Sequence, residues 1–262
     1  MRLKGLSVLS SILLMLCATA SHASMDVLFD YSASKSTQGS GSNKHLNFSS
    51  FGVKVYGFDA SSGTSKFKNR TSKLKTSGSY HGLILDKNEW GNNNMIDNRG
   101  RLEMVIFEFD ELVSLKEIKM GRVGGDFDFT LLAHQGSSFN SSNFSAGGSS
   151  NNMLSQGWQL VGHHGNGTRI SGGKAVTNVN SGHIASSIWA ISAYHSAFSD
   201  SSSHLSHGWL GTGNDYFSLM QLAGKRVANA AVSEPSSLMI LVLVAMGALG
   251  MRRRRQLAAT AA

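Results

Sequence analysis

The sequence predicts an all-β protein, built as an antiparallel β-sandwich or jelly-roll-like domain. Three observations carry that expectation. Nine short runs, apolar or alternating, are separated by clusters of Gly, Ser, Asn and Asp. No interval sustains a helical period. Pro235 is the only proline in 262 residues, so Gly and Asn must supply the turn geometry. A sheet with one apolar face buries it against another sheet, which is why many short strands favour a sandwich.

The N-terminus reads as an export signal. Arg2 and Lys4 give a positive start, residues 6–17 form an apolar core, and Ser21 and Ala23 are small where a signal peptidase inspects the chain. Cleavage between Ala23 and Ser24 is expected, because the apolar core is shorter than the ~20 residues that span a bilayer. Cys17 is the only cysteine and leaves with this segment. The mature chain then has no disulfide, no thiol nucleophile and no thiolate ligand. Six of the 24 basic residues belong to the two chain ends, leaving 18 Lys and Arg against 15 Asp and Glu between Ser24 and Ser233, a net charge of +3. The basic pI belongs mostly to the ends, and a nucleic-acid partner is not expected.

The predicted strands follow in order at 26–31, 48–58, 79–85, 102–109, 115–123, 127–134, 158–162, 188–195 and 216–222. Polar tracts at 35–43, 136–152 and 196–207 read as surface loops. The expected organisation is a signal peptide at 1–23, one β domain at 24–231, a tail segment at 232–255 and a cytoplasmic end at 256–262.

The tail is Val232-Ser233-Glu234-Pro235, an apolar run over 238–251, and Arg252, Arg253, Arg254 and Arg255. Its fourteen apolar residues make about 21 Å of helix, short for a ~30 Å hydrocarbon core. The arginines hold their end in the cytoplasm and leave the preceding domain outside. Glu-Pro before a short apolar helix and an arginine cluster resembles the PEP-CTERM sorting signal of Gram-negative bacteria, whose substrates are handled by the membrane protease-transpeptidase exosortase. Ser233 stands where that family usually has a first proline. A second stretch of likeness runs through 123–132, Trp158, 187–194 and 214–219, similar to the bodies of exosortase-dependent surface proteins. The resemblance implies transient anchoring in the inner membrane, cleavage near Glu234-Pro235, and delivery to the cell surface or to an exopolysaccharide matrix. It implies no catalytic residue.

Candidate chemistry in the body is sparse. Asp126 and Asp128 alternate with Phe127 and Phe129, which on a strand sends both carboxylates to one face. Their plain reading is a half-buried strand with a solvated acidic face; their functional reading is calcium, with Asp215 or Asn214 adding oxygens. No cofactor is expected. His163-His164 and His204-x-x-His207 lack the glutamate of a zinc-protease helix and read as solvated loop histidines. Lys66, Lys68, Arg70, Lys73 and Lys75 read either as a cationic stripe for acidic polysaccharide or as lysines guarding an edge strand. Trp158 and Trp189 fit the core, whereas Trp90 and Trp209, among Gly, Asn and His, suit a sugar-stacking surface. The expected function is a non-catalytic structural or glycan-binding surface protein, with a secreted carbohydrate-active enzyme as the alternative.

Overall fold

The computed structural model describes residues 25–61, 66–85, 95–136, 138–142, 144, 153–198, 206–207, 210–211 and 213–227. It is all-β. Sixteen strands join one hydrogen-bonded network: β1 Asp26–Asp30, β2 Ser36–Gln38, β3 His45–Phe48, β4 Val53–Ala60, β5 Lys68–Asn69, β6 Leu74–Ser77, β7 Gly82–Leu85 and β8 Ile96–Asp97 in the first part. Then come β9 Leu102–Val123, β10 Phe129–His134, β11 Trp158–His164, β12 Thr168–Ile170, β13 Lys174–Asn178, β14 Ser186–Ala193, β15 Ser206–His207 and β16 Tyr216–Arg226. Every strand pair is antiparallel except β11 with β15.

β9 organises the molecule. Its first half, to Phe109, lies between β4 and β14, and its second half, from Val113, lies between β13 and β16. Between the halves, β14 advances only from Ser186 to Ile188 while β9 runs from Val113 back to Glu108. The surplus residues around Asp110 bulge out, and a bulge bends its strand. The sequence predicted two strands here because apolar periodicity stops at Asp110-Glu111. The backbone passes through as one.

The larger apolar cluster collects side chains from both halves. Val105, Phe107 and Phe109 join Trp189, Ile191, Phe129 and Leu131 from the first, with Leu115, Ile118, Met120, Leu28, Leu83, Phe217 and Leu222 from the second. In the second half the inward parity changes, because Glu117 pairs with Ala223 and Leu115 with Gly224, leaving Lys116 as an extra residue. That one-residue slip lets Leu115 and Ile118 both face inward, since side chains alternate with period two.

The first half is apolar on its other face too. Tyr56, Phe58, Leu102, Met104, Ile106, Ile188 and Ala190 pack under Phe67, Phe144, Met153 and Phe198 in a second cluster. Two buried faces explain the near-continuous apolar runs of β4, β9 and β14. Phe144 and Phe198 come from two tracts predicted as surface loops, and these two residues cover apolar surface. The third tract, 35–43, contains β2, whose three residues are exposed and pair with β3.

Short edge elements were missed. β12 and β13 lie on the rim of the second half, and neither has the length or alternation that would mark it in sequence. The predicted run 48–58 divides at Gly52, whose φ of +61° closes a 3-10 turn between β3 and β4. Gly suits this left-handed conformation because it has no Cβ to clash. Residues 1–23, the tail 232–255 and the end 256–262 lie outside the described residues, and among the described residues no helix is long and apolar enough to cross a membrane.

Candidate functional site

Four chain junctions meet at three carboxylates. The segment between β9 and β10 carries Asp126 and Asp128, and Asp215 immediately precedes β16. Asn98 follows β8, and Asn166 lies in the connection between β11 and β12. Asp126 and Asp215 form a backbone bridge, and one oxygen from each of Asp126, Asp128 and Asp215 lies within 4.8 Å of the others. Asp128 and Asp215 are fully buried; Asp126 is half-buried.

This burial corrects the sequence reading of a solvated acidic face. β10 begins only at Phe129, so Asp126 to Asp128 are not ladder residues whose side chains must alternate outward. Phe127 and Phe129 are indeed buried, but Asp128 is buried with them.

Amide donors hold the carboxylates in place. The Asp128 N–H donates to Asp215 Oδ1 at 2.9 Å, and Asn98 Nδ2 donates to Asp215 Oδ2 at 2.7 Å. Asn98 Oδ1 accepts the Asp215 N–H at 2.9 Å, a reciprocal pair that fixes both side chains. Gly211 donates its N–H to Asp128 Oδ2 at 2.5 Å, and Asn166 Nδ2 donates to Asp126 Oδ1 at 3.1 Å. Asp128 Oδ1 is buried and accepts no hydrogen bond. The backbone at Gly211 and at Gly213 also presses on Asp126: a Cβ added at Gly213 would lie 2.8 Å from Asp126 Oδ2, and one at Gly211 closer still.

The electrostatics follow from that crowding. Burial pushes the Asp215 carboxyl up to about 7, with the Asp128 N–H bond opposing and the neighbouring Asp128 and Asp126 charges adding to the rise. Burial likewise pushes Asp128 up to about 6, against the Gly211 N–H and with the Asp126 charge. A carboxyl raised above its unfolded value of 3.8 keeps its proton in the folded state while the unfolded chain has released it. The resulting stability is therefore complete below about pH 4 and lost as pH rises through 6 to 7. In chelator-treated protein, the melting temperature relative to an Asp128→Asn, Asp215→Asn double variant should fall between pH 4 and pH 7.5. Thermal melts across that range measure it, and a constant difference would contradict the burial described.

A second feature escaped the sequence reading. Lys116, the bulge residue of β9, lines a cavity of about 610 Å³ together with His164, His183 and Lys225. Lys116 Nζ contacts His183 Nδ1 at 2.5 Å and donates to the Asn180 carbonyl at 3.1 Å. Partial burial, and then the Lys225 charge, lower the pKa of its ammonium. The only advance signal was a lysine inside an apolar strand pattern.

The other predicted positions separate. Trp158 and Trp189 are core residues, as expected. His163 and His164 are buried in β11, not solvated, because both faces of that sheet half are covered; His163 Nδ1 lies 2.9 Å from Thr130 Oγ1. The cationic stripe does not form one strand. A 3-10 turn at Thr71–Lys73 separates β5 from β6, and Arg70 turns onto the buried Asp59 with Nε 3.0 Å from Oδ2. Lys66 and Lys68 remain exposed. Trp90, Trp209, Ala23, Ser24, Glu234, Pro235 and Arg252 to Arg255 lie outside the described residues. No protein-family model matches the chain, and a search of curated proteins finds no match.

Proposed function

We propose that this chain is an exported, exosortase-processed protein of the cell surface or extracellular matrix, whose β-sandwich or jelly-roll body is a non-catalytic structural or glycan-binding component. The supporting observation is that the first and last described strands pair with each other. β1 begins at Asp26, just after the expected cleavage at Ala23-Ser24, and pairs with the last strand, Asp26 opposite Gly224. β16 ends at Arg226, ahead of Glu234-Pro235. The first and last described strands thus lie side by side, between two segments that read as addresses. Two sheet halves around a shared apolar core support the sandwich description.

The non-catalytic reading is favoured over a secreted carbohydrate-active enzyme by the condition of the acids. A glycosidase presents two carboxyl groups to a sugar, ~5 to 9.5 Å apart across a groove. Asp128 and Asp215 are instead buried and tied to backbone and amide groups. For an acidic polysaccharide, the Lys116, His183 and Lys225 cavity supplies cationic complementarity, an attraction that weakens as salt rises.

Glu234→Ala with Pro235→Ala should leave full-length protein in the inner membrane with its body folded, because the apolar span and its arginines still insert. Neutralising Arg252 to Arg255 should disturb insertion itself. Mass spectrometry of both chain ends, in wild-type and exosortase-deficient cells, measures the outcome: Ser24 at the start and loss of Ala262 are expected on surface protein. Surface protein that retains Ala262 would leave a plain membrane anchor as the account.

A further inference from the structure

We propose that Asp126, Asp128 and Asp215 form a binding site for a hard divalent cation, calcium, which fastens the β9–β10 junction to the start of β16. The inference goes beyond the sorting reading and stands without it. Three independent features of the cluster support it.

The first is convergence. Three carboxylates from two distant segments place oxygens within 4.8 Å of one another, two of them on fully buried residues. Among the described residues no Lys, Arg or His forms an ion pair with any of the three. The nearby Arg169 guanidinium donates instead to the Gly124 and Gly125 carbonyls and lies over the Phe127 ring. Buried charge is stable only when paired, protonated or bound to metal. Two buried acids and a half-buried neighbour therefore lack a counter-charge.

The second is Asp128 Oδ1. It is buried on a residue with no exposed surface, and it accepts no hydrogen bond. Unsatisfied buried acceptors are rare and cost stability. Its partner oxygen Oδ2 already has the Gly211 N–H, so the carboxylate is oriented by protein and leaves one oxygen over. A cation would satisfy it.

The third is the surrounding frame. Asn98 and Asn166 hold Asp215 and Asp126 by their amides, and glycines at 211 and 213 let backbone approach the Asp126 carboxylate. The ligand oxygens are thus set by neighbouring contacts before any ion arrives, as preorganised sites require.

The donor set selects the ion. The cluster offers carboxylate oxygens without cysteine or histidine, which suits hard cations and not zinc or copper. Calcium accepts six to eight oxygens in irregular arrangements at ~2.3–2.6 Å, whereas magnesium demands a near-octahedral set at ~2.0–2.1 Å. An irregular trio drawn from loop junctions fits calcium.

The test uses purified full-length protein in mild detergent, stripped with chelator and titrated with calcium chloride by calorimetry and thermal melting. One calcium per chain is expected, with the melting temperature rising roughly 5–10 °C at 100 times the dissociation constant. Magnesium at equal concentration should give a smaller shift. Asp128→Asn should abolish the calcium shift while its chelated melting temperature stays at or above that of chelated wild type, since it removes a repelling charge and its amide oxygen can keep the Gly211 N–H. Asp215→Asn should abolish the shift as well, at a lower chelated melting temperature, because both Asp215 oxygens accept N–H bonds and an amide nitrogen would face one of those donors. Asp126→Asn, at the half-exposed position, should weaken binding at least tenfold and guards against a buried variant that fails to fold. Wild-type protein indifferent to calcium up to about 10 mM, beyond the range of extracellular calcium modules, would overturn the proposal. So would a calcium shift that survives in Asp126→Asn and in either folded buried variant. Neither result bears on processing of the tail, which is read separately at Ala262.

Discussion

Trp189→Ala should lower the unfolding free energy by about 3–5 kcal/mol, the usual range for deleting a large aromatic from a core. Trp189 is fully buried on β14, with Phe107 of β9 opposite on one side and Ala133 of β10 on the other. Its indole N–H donates to the Ser186 carbonyl at 2.9 Å, so truncation removes both packing and a hydrogen bond. Nothing nearby can collapse into the space readily, because sheet backbones on both sides are fixed by ladders. Trp189→Phe retains most of the apolar volume and should cost less, chiefly the lost donor, about 1–3 kcal/mol. Ile170→Ala, on exposed β12, should change stability by no more than about 0.5 kcal/mol. Urea titration measures all three, with the midpoint moving and the slope constant. A Trp189→Ala loss below about 1 kcal/mol would contradict the burial of this strand between two covered faces.

The contrast between Trp189 and the lysine stripe shows what could be read in advance. The long apolar strands were legible because composition alone marks a strand buried on both faces: Val53, Val55, Val105, Phe107, Trp189 and Ile191 sit where expected. The continuity of β9 was not legible, since Asp110 and Glu111 carry the polar signature of a turn yet lie in a bulge. Edge strands such as β2 and β12 hold together by hydrogen bonds to a neighbour, and their exposed side chains leave no periodicity to detect.

The candidate cation site was half legible. Asp126-x-Asp128 stood out locally, but the reading assumed a regular strand and therefore a solvated face. Asp215 reaches the cluster from 87 residues away, and Asn98 reaches Asp215 across 117. Sequence separation of that size carries no signal in a single chain. The residue types nonetheless offered Asp215 or Asn214 as further oxygen donors, and Asp215 is the one that joins Asp126 and Asp128. Arg70 failed in the opposite direction, because counting cations cannot show that an acid eleven residues earlier is buried beside one of them.

Removing Arg70 and Arg101 together should destabilise the protein by about 3–5 kcal/mol, the usual cost of removing the cationic side of a buried ion pair. Asp59 on β4 is fully buried, and its register partner on β9 is Glu103, also buried. Directly opposed residues in an antiparallel pair lie only ~4.5–5.5 Å apart at Cβ, so these two acids repel unless cations are near. Arg70 Nε lies 3.0 Å and Arg101 Nε 3.5 Å from Asp59 Oδ2, and both arginines keep part of their side chains in solvent. Each single Arg→Ala change leaves the other guanidinium in place and should cost less than half of the double loss, a non-additivity that a double-mutant cycle reads directly. Glu103→Gln should recover part of the double variant's stability by removing one repelling charge. Lys66→Ala with Lys68→Ala, at exposed positions of the same stretch, should stay within about 0.5 kcal/mol of wild type. If the double arginine variant were as stable as wild type, Arg70 would be a free surface cation and would return to the glycan-binding stripe with Lys66 and Lys68. The ion pairs place it instead among the residues that hold β4 against β9.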